Sequence, residues 1–165
     1  MPIPPSLWAL FEEADLLVRY WLMKSEPEEY GIDDLARDKR DWWTGVRNYQ
    51  ARNFMKNDMK KGDGVLFYHS SCKAPGVYGV AQVCAAAVPD PEQFVPDGDY
   101  YDPAASEKSP RWFCVRIAFV RKLAAPFLLP QLRRHSALRG MVILRRGNRL
   151  SITPVTPAEW SAIIG

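Results

Sequence analysis

Apolar residues recur at two periods along the chain, and the changes of period mark the predicted elements. Leu7, Leu10, Phe11, Ala14, Leu17 and Val18 follow helical spacing, with Ser6 placed to cap them, so residues 7–18 are predicted helical. Tyr20 to Lys24 reads as a short strand that ends in the Ser25-Glu26-Pro27 turn. A short helix is predicted from Asp33 to Asp38, a loop over 41–48, and a helix from Tyr49 to Met59 with Ala51, Met55 and Met59 on one face. The turn Lys61-Gly62-Asp63-Gly64 leads into strands at Val65–Tyr68 and Gly76–Val88, with Gly79 at a bulge or close approach. Residues 89–111 carry five prolines and read as a long loop, with one helical turn at Pro91–Phe94. Trp112–Leu123 is strongly β-like, and Pro130 opens a short helix through His135. Two strands, Met141–Arg145 and Arg149–Thr153, are predicted to form a hairpin about Arg146-Gly147-Asn148. Thr156-Pro157-Ala158-Glu159 has the form of a capping box that starts a final helix.

Five or six strands with short helices between them, and no βαβ alternation, predict an α+β domain around a small, mostly antiparallel barrel. At 165 residues the length fits one domain, and 47% hydrophobic residues suffice for an ordinary core. The net charge of +3 is uninformative until it is resolved along the chain. Residues 1–100 hold 16 acidic and 11 basic side chains, whereas residues 101–165 hold three and 11. No acid lies between Glu107 and Glu159, so the C-terminal third suits an anionic partner such as nucleic acid. The competing reading is a mixed surface in which the acidic part folds over the basic part.

Several classes are excluded on pattern. Cys72, Cys84 and Cys114 are odd in number and widely spaced, which argues against a zinc site. Cys84 and Cys114 sit in apolar runs and read as core residues in a reducing compartment. There is no membrane-length apolar run, and the acidic N-terminus is unlike a secretory signal, so the default location is the cytoplasm. Glycine-rich nucleotide-binding patterns are absent, and no cofactor is expected.

The segment Asp41–Asn53, DWWTGVRNYQARN, is the most unusual. Trp42, Trp43 and Tyr49 are interleaved with Arg47, Asn48, Gln50, Arg52 and Asn53. Rings stack on a nucleobase, amides read its edge, and arginine reaches phosphate. The competing reading puts a tryptophan in the core and leaves Arg47 and Arg52 solvated or ion-paired. Lys24 and Ser25, at a strand end, can donate to a ligand, or are an exposed lysine and a turn-capping serine. His69 also stands at a strand end, where a lone histidine reads as structural. Nothing pairs with it as an acid or base, so no enzyme is expected.

The segments WLMKSEP (21–27), WTGVRNYQARN (43–53), GDGVLFYHSS (62–71), GVYGVAQV (76–83), DPEQF (90–94) and RGNRLSITPV (146–155) resemble, in order, the EVE domain. The resemblance runs from about Tyr20 to Trp160; it makes residues 20–165 the domain and leaves 1–19 as an N-terminal helical extension. It implies a PUA-like fold, a mixed and mostly antiparallel β-barrel with short peripheral helices, related to YTH domains that bind methylated adenine in RNA. It also implies a pocket for a modified base, lined by Lys24, Ser25, Trp43, Thr44, Val46, Asn48, His69, Ser70 and Tyr78. Further walls fall to Trp112 or Tyr101. Arg47, Arg52, Arg145, Arg146 and Arg149, with Ser151 in the basic hairpin, are implied for phosphate contact. The expected partner is a single-stranded or flipped-base nucleic acid, RNA or DNA, bound by a monomer. The alternative is an ASCH-type nuclease or hydrolase of the same superfamily, with Lys24, Glu26 and His69 as its chemistry.

Overall fold

The computed structural model describes residues 18–165. The predicted 7–18 helix therefore lies outside the described residues, apart from Val18. Six strands form one sheet: β1 (Tyr20–Ser25), β2 (Arg40–Trp42), β3 (Gly64–His69), β4 (Gly76–Pro89), β5 (Phe113–Leu128) and β6 (Ile152–Val155), in the order β2-β5-β4-β3-β1-β6. The pair β1·β3 is parallel, and the other four ladders are antiparallel.

β1 and β3 are interior strands of the sheet, and both their faces are apolar. Trp21, Met23, Val65 and Phe67 point into a first core, shared with Ala81 and Val83 of β4, Val115 and Ile117 of β5, and Ile152 of β6. Inward faces of five strands meet there, so the sheet curls around this core. Leu22, Leu66 and Tyr68 point the other way, into a second core with Leu132, Leu138, Met141, Val155 and Ile163. A strand buried on both faces shows a continuous apolar run instead of alternation, as VLFY does. Truncating Phe67, which is fully buried, should cost about 3–5 kcal/mol.

Curvature comes from β4 and β5, 14 and 16 residues long. Their register shifts four times between Val77 and Val88, and each bulge bends and twists the pair. Gly79 is such a bulge and also a close approach: a Cβ there would meet Ile32 at 2.5 Å. That lets α1 (Ile32–Asp38) seat Ile32 directly on the sheet.

α2 (Tyr49–Asn53) begins at the Asn48 cap and widens into a π-helical turn at Phe54–Asp58. α3 (Leu129–Arg134) and 3-10 turns at Ser136–Leu138 and Val142–Leu144 cover the second core. α4 (Pro157–Ile164) starts at the Thr156–Glu159 capping box, as the sequence predicts.

Three sequence expectations need correcting. There is no 141–153 hairpin. Val142–Leu144 is a 3-10 turn closed by local bonds, residues 145–151 form no strand, and β6 pairs with β1. The apolar side chains of Met141, Ile143 and Leu144 bury against the second core from this turn, which needs no strand partner. The predicted 41–48 loop begins with β2, whose residues pair with Arg116–Ala118 of β5. Cys84 is half-buried, while Cys114 lies in the core, where burial pushes its thiol up to about 12.

Candidate nucleic-acid interface

A cleft of about 710 Å³ opens where β1 ends, between the Trp42–Arg47 segment, the Ser70-Ser71 turn and the 90–112 loop. Lys24 and Ser25 leave β1 directly into it. Trp42 and Trp43 enter from β2 and the residue beyond, where the Trp43 N–H bonds the Val115 carbonyl at 2.8 Å. Trp43 is only partly buried and packs edge-on against Phe67 of the core, ring centroids 5.5 Å apart. Its ring is thereby fixed while part of it still faces the cleft.

Chain reversal after Trp43 depends on Gly45, which holds φ at +83°. Its N–H donates to the fully buried Asp90 carboxylate at 2.8 Å. The same carboxylate oxygen accepts from Arg47 at 3.0 Å, and the other accepts the Glu92 N–H at 2.8 Å. Gln93 pins the far end of the loop: its amide oxygen accepts from the Arg111 and Trp112 N–H groups, and its amide nitrogen donates to the Asp90 and Trp112 carbonyls. The DPEQF motif is thus the bracket that fastens the 90–112 loop to the Trp42–Arg47 wall.

Of the residues proposed for the pocket, Lys24, Ser25, Trp43, Thr44, Val46 and Ser70 line the cleft together. Asn48, His69 and Tyr78 do not. Asn48 is the α2 cap, its side-chain oxygen accepting the Ala51 N–H at 3.0 Å. The His69 Nε2 accepts the Ile32 N–H at 3.1 Å, and its ring stacks on Tyr78 at 4.1 Å. Burial holds His69 below its ordinary value, which keeps the acceptor nitrogen unprotonated. The Tyr78 hydroxyl donates to the Ala74 carbonyl at 2.6 Å. The Ser25 hydroxyl is engaged as well, donating to the Tyr30 carbonyl at 2.6 Å.

Among the arginines proposed for phosphate, Arg47 and Arg149 line the cleft. The Arg47 guanidinium is occupied by Asp90 and by the carbonyls of Val46 and Tyr100. Arg52 donates to Asn53 and to the Arg111 carbonyl, and lies 4.8 Å over the Tyr49 ring. Arg145, Arg146 and Arg149 are exposed, and no side-chain hydrogen bond or ion pair holds them among the described residues. The half-buried Lys24 ammonium also lacks an ion pair among the described residues, and burial lowers its pKa.

The cleft also contains groups that sequence reasoning did not place there: Glu29, Tyr30, Asp41, Glu92 and Tyr100. With Glu26 they make its electrostatics mixed, acidic along the 26–41 side and basic towards Arg149. Trp112 stacks beneath Tyr49, donates its indole N–H to Asp102 at 2.8 Å and is almost fully buried, and Tyr101 is not in the lining. Tyr100 has no period to betray it, since it lies in a loop of Pro, Asp and Gly. No His/Cys/Asp/Glu group suited to a metal occurs among the described residues, and none of their helices is long and apolar enough to cross a membrane.

Human thymocyte nuclear protein 1 is 39% identical over 167 aligned residues, which cover 90% of this chain and 73% of that protein. The structure of human THYN1 in complex with 5-methylcytosine-containing DNA superposes with a TM-score of 0.83 at 38% identity, covering 88% of this chain and 95% of the other. A Pseudomonas syringae protein superposes with a TM-score of 0.84 at 43% identity, covering 88% and 97%. The architecture is the PUA-like α+β fold. The animal relatives are named for the nucleus, which gives the cytoplasmic expectation no support. The EVE domain profile matches residues 19–165, and the chain belongs to the EVE domain family.

Proposed function

We propose that this chain is a nucleic-acid-binding module that takes one modified base into the cleft and holds the flanking phosphates with Arg145, Arg146 and Arg149. The observation that carries this reading is a cleft that combines a fixed, partly open Trp43 ring with the exposed Arg149, which pairs with no acid among the described residues, at its edge. The relative human THYN1, crystallised with 5-methylcytosine-containing DNA, supports the ligand class. The carboxylates fit it too: Glu and Asp accept from the exocyclic amine of cytosine, and Glu26, Glu29, Asp41 and Glu92 border the cleft. Lys24 serves as the donor to a ring acceptor.

Burying one extra methyl contributes about 0.8 kcal/mol, so the apolar term alone gives roughly fourfold preference for the modified base. Stacking on Trp43 supplies more, about 1–3 kcal/mol per base, for either base form. The test is binding of short DNA and RNA strands, each carrying 5-methylcytosine, cytosine or an abasic site, at several salt concentrations. The wild-type protein binds the methylated strand tightest and the abasic strand weakest. Trp43→Ala reduces all three to the abasic level. A wild-type protein indifferent to the abasic site defeats the reading.

On this reading the module is a monomer, residues 1–19 lie outside it, and it turns nothing over. Sizing the chain with and without that segment, and mass spectrometry of incubated strands, check these points. The rival hydrolase would draw on Lys24, Glu26 and His69, but the His69 Nε2 is held by the Ile32 N–H.

A further inference from the structure

A column of rings and guanidinium groups runs from the cleft to the protein surface. Arg47 lies between two rings, its guanidinium 5.4 Å from the Tyr100 centroid and 5.3 Å from that of Trp112. Trp112 in turn stacks on Tyr49 at 4.9 Å, and Arg52 lies 4.8 Å over Tyr49. The base-binding reading uses only Trp43 among the aromatic rings and leaves this column unexplained.

Tyr100 is the end of the column that enters the cleft. It is 40% exposed, and its loop has no strand to hold it. Two features fix its place. Arg47 donates from Nε and Nη2 to the Tyr100 carbonyl, at 3.3 and 2.9 Å. Gly45 lets the ring approach the Thr44–Val46 backbone closely, where a Cβ would stand 3.0 Å from two ring atoms. The Arg47 fork is itself set by the buried Asp90 at 3.0 Å.

Resting on the proposed function, we infer that Tyr100 is the second aromatic wall of the base site and that Arg47 is its positioning residue rather than a phosphate contact. A planar, five-donor guanidinium can fork onto a carbonyl, ion-pair and stack on two rings at once. A lysine ammonium keeps the charge but cannot do all three. The two roles therefore separate in Arg47→Lys: a phosphate contact tolerates it, and a positioning role does not.

The probe is a short DNA strand with one 5-methylcytosine, compared with the same strand carrying an abasic site. Tyr100→Ala should weaken binding of the methylated strand about tenfold, the scale of one lost stacking contact, with the abasic strand unaffected. Tyr100→Phe should recover most of that loss. Arg47→Lys should match Tyr100→Ala, with the salt slope of abasic-strand binding unchanged. The double variant should lose no more than either single one, because both remove the same wall. If Arg47→Lys binds as tightly as the wild type, or if the two losses multiply, Arg47 does not act through Tyr100. If Tyr100→Ala keeps its affinity while Trp43→Ala loses it, the wall assignment fails and the base site stands. A wild-type protein with no preference over the abasic strand overturns both.

Discussion

Arg47 and Arg149 line the same cleft and have opposite uses. Arg47 is largely covered and satisfies a buried carboxylate and two carbonyls. Arg149 is exposed and engages no other described side chain, and the same holds for Arg145 and Arg146. The difference is set by sequence distance as much as by local sequence. The bracket from Asp90 to Trp112 folds back onto residues 43–53 and supplies carboxylates and carbonyls to their arginines. No acid lies near the 133–149 segment in the chain, and among the described residues none forms an ion pair with its arginines. One region uses its charge within the fold, and the other leaves it exposed and without a partner among the described residues.

The sharpest way to break this comparison is to remove one arginine from each region and measure stability. Arg47→Ala leaves Asp90 fully buried without its cation, a loss of about 3–5 kcal/mol. Arg149→Ala should change stability by less than about 0.5 kcal/mol, since no other described side chain engages it. Urea titrations of the two variants test this directly. Equal effects would mean that the two arginines are not distinguished as described.

Binding should rank the same residues the other way. Replacing Arg145, Arg146 and Arg149 together by alanine should lower the salt slope of single-strand binding by about 0.7 for each phosphate lost. Arg52→Ala should leave the slope where it was, because its donors are held by Asn53 and the Arg111 carbonyl. A reduced slope in Arg52→Ala would return that residue to the phosphate path and blur the two regions.

The same contrast explains what could be read before folding. The curled sheet was legible because its evidence is local: the run VLFY, the glycine at 79 and the Thr156–Glu159 box each carry their meaning within a few residues. Lys24, Ser25, Trp43 and Ser70 were placed together by resemblance, and all four line one cleft. The role of Arg47 was not legible, because its carboxylate partner is 43 residues away. Only the competing reading, an ion pair, anticipated it. Tyr100 was invisible for the same reason: its place is set by Gly45 and Arg47, and its own loop has no period. The expected hairpin failed because a short apolar run around 141–145 suits a 3-10 turn on a core as well as a strand.

His69 extends the comparison to a group that titrates, with the smallest effect. Like Arg47 it is engaged by the fold, at the end of β3, its Nε2 accepting the Ile32 N–H at the start of α1. Burial lowers its pKa from 6.5, and of the charges around it Asp33 and Asp34 oppose that shift while Lys122 adds to it. Below 6.5 the unfolded imidazole takes a proton before the folded one does, so the unfolded state holds more protons in that window. Stability therefore falls as pH drops through 6.5 towards the folded value, and is fully present above it. His69→Phe keeps a ring to stack on Tyr78 and removes the titration. The variant should start less stable by about 1 kcal/mol, for the acceptor lost by Ile32, and its stability should lack the histidine's fall across that window. Urea midpoints at pH 7.5 and at about pH 5.5 decide it, the pH values being chosen to bracket the ordinary histidine range. If wild type and His69→Phe lose stability in parallel on acidification, protonation falls elsewhere, and the Nε2–Ile32 bond is not what ties this histidine to the fold.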